Sequence, residues 1–202
     1  MTPEIIPAEQ RLRSGFKYLN KYMLLMWRLG LGVYLNQPKT WGNIMVIAHT
    51  GRVSGLRRRT PVNYTVVDGQ VYCVSGFGEI SDWYRNIRAN PEVEIWMPAG
   101  WLAGVAEEVT DPGLRLPLLR QVIVGSGFAG RLAGLDPYRM SDSELESATA
   151  GYRLIHILRR EARTGPGGPG DLAWVWQAAT AVLLGLLLVS PLISSKRRKC
   201  CG

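Results

Sequence analysis

The sequence predicts a mainly β, α+β domain, built as an antiparallel barrel or sandwich with flanking helices. Three observations predict it. Period-two segments are joined by short turn signals and few crossover helices, which disfavours a doubly wound parallel sheet. The 202 residues are 47% hydrophobic and 20% charged, so one domain can bury a core without staples. The three cysteines and two histidines, His49 and His156, have neither a disulfide framework nor zinc-ligand spacing.

The elements follow in order. Residues 8–35 read as a helix, because Leu12, Phe16, Leu19, Met23, Met26 and Leu29 recur at three- and four-residue steps. Arg11, Arg13, Lys17, Lys21 and Arg28 lie between them. Such a face packs on the domain or touches anionic lipid. Asn43–His49 is an apolar run of strand length. Thr60–Val67 and Gln70–Ser75 flank Asp68-Gly69, a strong two-residue hairpin signal. Ser81 or Asp82 caps a helix running to Arg88, which Asn90-Pro91 ends. Glu92–Met97 and Trp101–Val109 form a second hairpin across Pro98-Ala99-Gly100. Residues 112–134 and 142–150 read as helix or loop, and Tyr152–Arg159 as a last strand.

The tail differs in character. Thr164–Gly170 is a Gly/Pro linker. Leu172–Ser195 has no charge over 24 residues. As a helix it would cover about 36 Å, against about 30 Å of hydrocarbon. Trp174 and Trp176 open it and Lys196–Lys199 close it, so the sequence predicts a C-terminal transmembrane helix. The expected organisation is an N-terminal amphipathic helix (1–36), a barrel domain (37–163), a linker (164–171), a membrane span (172–195) and a basic tail (196–202). With no signal peptide at the start, the domain is expected in the cytoplasm, anchored at the cell membrane beside membrane lipid. Cys200-Cys201 near a membrane also suits lipidation.

Charge points to an anion. Of 24 basic residues, ten fall in residues 1–60 against two acidic ones, within a chain of net charge +8. The richest stretch is His49–Pro61. Gly51 and Gly55 allow positive φ and close approach, Ser54 and Thr60 add hydroxyls, and Arg52, Arg57, Arg58 and Arg59 add planar donor forks suited to phosphate. A solvated basic hairpin loop would look the same by composition. The Walker loop, the dinucleotide fingerprint and a Ser-His-Asp set are all absent. No nucleic-acid motif accompanies the basic residues. Cys73 and His156 read as structural. His49 does too, although its place at a strand end also suits contact with phosphate or substrate. Phe77, Trp83 and Tyr84 suit core or ligand wall.

Thr50-Gly51-Arg52-x-Ser54-Gly55, Thr60-Pro61, Val74-Ser75-Gly76-Phe77-Gly78, Asp82-Trp83-Tyr84-Arg85-Asn86 and Ala89-Asn90-Pro91 together resemble the deazaflavin-dependent nitroreductase family, over roughly residues 20–160. These are split β-barrel oxidoreductases that use coenzyme F-420, a deazaflavin. The resemblance implies that Gly51, Arg52, Val53, Ser54, Gly55 and Arg59 hold the phosphate end. Thr60, Pro61, Val62, Asn63, Tyr64 and Thr65 would run along the ring. Val74, Ser75, Gly76 and Phe77 would form the opposite wall, and Trp83, Tyr84, Asn86 and Ile87 would come from the adjacent helix. Where the family often has lysines, this chain has Val53 and Gly76, with Arg57 and Arg58 as replacements. Tyr138 is the candidate substrate-side, catalytic tyrosine. The implied activity is hydride transfer from reduced F-420 to an electron-poor acceptor: a quinone (a membrane quinone above all), an enone or a nitro compound. No metal is implied. FMN in the same barrel, and a non-catalytic cofactor carrier at the membrane, are the alternatives. A homodimer is compatible with this reading, which does not fix the oligomeric state.

Overall fold

The computed structural model describes residues 7–37, 40 and 42–198, with side chains over 15–37, 40 and 42–188. Six strands close into an antiparallel barrel: β1 (Ile44–Thr50), β2 (Arg57–Val67), β3 (Gln70–Ser75), β4 (Glu92–Met97), β5 (Gly100–Glu108) and β6 (Arg153–Ala162). Around the barrel the order is β1-β2-β3-β6-β5-β4. The β2–β3 turn is the Asp68-Gly69 pair, at φ +49° and +75°. Positive φ at both positions matches the right-handed twist of the strands it joins. Closure brings β3 against β6 and β1 against β4, pairings between strands distant in sequence.

Alternation sorts each strand. Met45 and Ile47 of β1 point into the barrel with Val62, Tyr64, Val71, Cys73, Val93, Ile95, Ile155 and Ile157. Ile44 and Val46 point outward, and Trp96 of β4 joins them. They are covered by Met23 and Trp27 of α1 (Pro7–Arg28). This two-sided burial explains why β1 reads as an unbroken apolar run. Burial also pushes the Cys73 thiol up, so it stays a plain core residue.

The expected helix over 8–35 ends at Arg28 instead. Gly30 adopts φ +78°, and Leu31 N–H donates to the Met26 carbonyl at 2.9 Å. That is a glycine C-cap, followed by a 3-10 turn at Gly32–Leu35. Helix α2 (Asp82–Ala89) lies against β1, with Tyr84 and Ile87 in the barrel core. Between β5 and β6 come α3 (Pro112–Gly125), α4 (Phe128–Leu132) and α5 (Asp142–Ala148). Asp111 caps α3, and a Ser141/Glu144 capping box opens α5. Their core of Leu119, Ile123, Leu135 and Leu145 packs on Val74 of β3.

The Gly/Pro segment after β6 is docked. Arg59 donates to the Gly167 carbonyl at 2.8 Å, Gly170 N–H to the Trp27 carbonyl at 2.9 Å, and Arg28 pairs with Asp171 at 3.0 Å. Gly168 lies against Trp101, where a Cβ would come within 2.5 Å of the ring. Helix α6 (Ala173–Arg198) follows. The expectation of a transmembrane helix is corrected here. Among the described residues no helix is long and apolar enough to cross a membrane. Cys200 and Cys201 lie outside the described residues.

Candidate functional site

A cleft of about 720 Å³ opens between β2, β3, the start of α2, helix α1 and the α3–α4 corner. Its size suits a small-molecule ligand. Strand β2 contributes Thr60, Pro61, Val62 and Asn63, and β3 with its following turn contributes Val74, Gly76 and Phe77. Trp83 joins from α2. These eight residues, all expected to touch a cofactor, line one continuous surface. Facing them are residues the sequence reading did not assign: Phe16, Lys17, Leu19, Asn20 and Met23 of α1, then Phe128, Ala129, Ala133 and Leu135, and Tyr152. Phe16 meets Phe77 edge to face, centroids 6.0 Å apart.

At the mouth, Asp82 lines the cleft and accepts from Arg52 Nη2 at 3.0 Å. Arg52 is held further by Asn86, whose Oδ1 accepts from the Arg52 backbone N–H (3.1 Å) and from Nη1 (2.9 Å). The rest of Asn86 continues inward, with Nδ2 lying 3.3 Å from His49 Nδ1. His49 Nε2 in turn lies 3.2 Å from Thr60 Oγ1. The chemistry fixes the direction of this chain. Because Asn86 Oδ1 is the acceptor for Arg52, Nδ2 is the donor, so His49 Nδ1 accepts and Nε2–H donates to Thr60. The Thr60 hydroxyl proton is then available to a ligand in the cleft. Burial is the main cause that lowers the His49 pKa to about 4, so the ring is neutral at physiological pH.

That shift predicts a pH dependence of stability. An unfolded His49 takes a proton near pH 6.5, whereas the folded one does so near 4. Its contribution is therefore full above pH 6.5 and lost as pH falls toward 4, a loss on the order of 2–3 kcal/mol. Urea midpoints at pH 7 and 4.5 should differ less in His49→Gln than in the native chain.

Other expected site residues sit elsewhere. Arg59 does not reach the mouth: it stacks on Trp96 with 5.2 Å to the ring centroid, and donates to Gly167. Arg57 pairs with Glu94 and lies over Trp101. Tyr64 and Ile87 belong to the barrel core, as does the ring of Tyr84, whose hydroxyl donates to Glu108 at 2.7 Å. Ser75 is buried, and its hydroxyl donates to the Gly78 carbonyl at 3.0 Å, fixing the turn beyond Phe77. Gly51, Val53, Ser54 and Gly55 lie in the loop between β1 and β2 and do not line the cleft; Ser54 Oγ there accepts from Leu56 N–H at 3.3 Å. Thr65 and Tyr138 border a second groove of about 930 Å³ on the far side of α4. Tyr138 is 81% exposed there and does not meet the cleft. The first cleft is the candidate site because it gathers the ring-facing residues and the Arg52 network, which the larger groove lacks. Among the described residues, no group of three or more His, Cys, Asp or Glu could hold a metal.

Residues 32–126 match the F420H(2)-dependent quinone reductase family. No curated protein matches the chain significantly. Among solved structures, it is similar to conserved hypothetical protein Rv2991 of Mycobacterium tuberculosis (19% identity, 60% of this chain and 75% of that one, TM-score 0.46). It is also similar to a 5-nitroimidazole resistance protein of Bacteroides thetaiotaomicron (13%, 64% and 76%, TM-score 0.46). A third is an F420-H2 dependent reductase, FDR-A (21%, 57% and 93%, TM-score 0.38).

Proposed function

We propose that the chain works as a member of the F420H(2)-dependent quinone reductase family that its residues 32–126 match, with its cleft seating reduced F-420 along β2 and β3 and a quinone beneath α1. The chain is an F-420-dependent oxidoreductase; the quinone as acceptor and the seating are the parts proposed. The residues present fit such a cofactor. A flat ring suits the surface of Pro61, Val62, Val74, Gly76, Phe77 and Trp83. A phosphate suits the cleft edge where Lys17 lines the wall and Arg52 stands beside Asp82.

When bound, reduced F-420 supplies a hydride to the acceptor. The protein's own tasks are physical. Arg52, pinned by Asn86 and Asp82, offers charge without having to be ordered at binding. Neutral His49 holds the Thr60 oxygen, so Thr60 can donate to a polar edge of the ring. Phe16, Leu19, Met23 and Phe128 keep water from the far wall and favour an apolar acceptor. The single observation that carries the reading is that eight expected cofactor contacts form one wall while the facing wall is mostly apolar.

Turnover tests it. Purified protein given reduced F-420 and a soluble quinone should return the oxidised cofactor's absorbance with time. Tight binding without turnover would favour the carrier reading, and preferential binding of FMN the ordinary flavin. Arg52→Ala should weaken F-420 binding about tenfold, since a hydrogen bond to a charged group is worth about 1.5–3 kcal/mol. In the native chain the affinity should also fall with added salt.

A further inference from the structure

We propose that Tyr152 is a catalytic residue, its phenol donating the proton that completes reduction of the acceptor. This rests on the quinone reading above. Tyr152 lines the cleft on the side facing Gly76, and a Cβ on Gly76 would lie 3.7 Å from the phenol ring and 4.0 Å from its oxygen. The ring is half-buried, and its hydroxyl has no hydrogen-bond partner among the described residues. The hydroxyl is not sealed in the core, and the cleft it lines gives it access to a bound ligand, to which it can donate its proton.

The backbone beneath Tyr152 is fixed from three sides. Its carbonyl accepts from Arg115 Nη2 at 3.2 Å, and its N–H donates to the Thr149 carbonyl at 2.9 Å. The same Arg115 nitrogen holds Thr149 O at 2.9 Å. The preceding Gly151 packs on Gly78, where a Cβ would fall 2.2 Å from the Gly151 oxygen. The phenol is thus held against the Gly76–Gly78 turn by contacts independent of any ligand.

The chemistry balances. A quinone becomes a hydroquinone by taking one hydride and one proton. The hydride carries both electrons and comes from the cofactor, which is thereby oxidised and releases its remaining proton to water. Tyr152 breaks its O–H bond and a new O–H forms on the acceptor oxygen; water then reprotonates the phenolate. Burial raises the phenol's pKa, so the donor form is present at neutral pH. The charged groups around it are Lys17 and Asp82 at the cleft and Arg115 behind its backbone.

Tyr152→Phe tests this, with F-420 binding as the control. Binding of F-420 should stay within twofold, kcat with a quinone should fall at least tenfold, and affinity for the product hydroquinone should weaken. A kcat within twofold of the native value overturns the proposal while leaving the function standing. A native enzyme that does not oxidise reduced F-420 with any quinone overturns the function, and the proposal with it. Should Tyr152→Phe fail to bind cofactor, 3-fluorotyrosine at position 152 decides. It keeps ring and hydroxyl but lowers the phenol's pKa, so the alkaline fall in kcat should move to lower pH; a limb that does not move overturns the proposal.

Discussion

Gly78→Ala is expected to destabilise the domain severely. Gly78 sits at φ +55°, where a side chain costs roughly 1–2 kcal/mol. Its Cβ would also fall 2.2 Å from the Gly151 carbonyl oxygen, a backbone atom that no rotamer change can move. Overpacking of that kind adds about 1–3 kcal/mol, so a total near 3–4 kcal/mol is expected. Gly134 is the control: it has φ +74°, but nothing lies within 4 Å of its added Cβ. Gly134→Ala should therefore pay the conformational cost alone. Urea denaturation separates the two. The damage at Gly78 should also reach the site, because the turn that would shift carries Gly76 and Phe77 and seats Tyr152.

Asn86→Ala is expected to lower stability by about 2–4 kcal/mol and to weaken cofactor binding as well. Asn86 is only 5% exposed, and its amide serves both ends of the chain from Arg52 to Thr60. Truncation leaves the Arg52 backbone N–H and His49 Nδ1 without that partner, and each unsatisfied buried group costs about 1–3 kcal/mol. Arg52 then keeps only Asp82 and backbone contacts, so its charge is no longer fixed at the mouth. Asn86→Asp separates the roles. It keeps the acceptor for Arg52 but loses the donor to His49, and should disturb the mouth less than Asn86→Ala. Thermal melts and F-420 titrations on both variants check this.

What could be read from the sequence follows the range of the interactions. Asp68-Gly69 encodes its turn locally, and the β2–β3 hairpin matches. Met45 and Ile47 alternate with Ile44 and Val46, yet the run looked merely apolar, because the second covering layer is a distant helix. Gly30 ends α1 although the apolar period continues past it, and its αL stop signal is readable in Gly30-Leu31-Gly32. Tyr84 and Ile87 are three apart and Trp83 and Ile87 four apart, so all three meet the barrel core, and helical spacing alone could not tell that Trp83 also reaches the cleft. Arg59 was harder to place. Its partners Trp96 and Gly167 come from β4 and from the segment after β6, and no local pattern links them. Tyr152 carried no local signal either, since only closure of β3 on β6 brings it to Gly76. Lys17 and Phe16 were visible as a helical stripe, but what the stripe faced was not.

The central claim is that F-420 occupies the cleft between β2, β3 and α1. Calorimetric titration of oxidised F-420 into the native chain and into Gly76→Leu tests it most directly, because a leucine side chain there would project into the cleft from a site that now has no Cβ. The account predicts saturable binding to the native chain, tighter than FMN under the same conditions, and at least a tenfold loss in Gly76→Leu with the fold intact by circular dichroism. Equal affinity in the two proteins, or FMN bound more tightly than F-420, would contradict it.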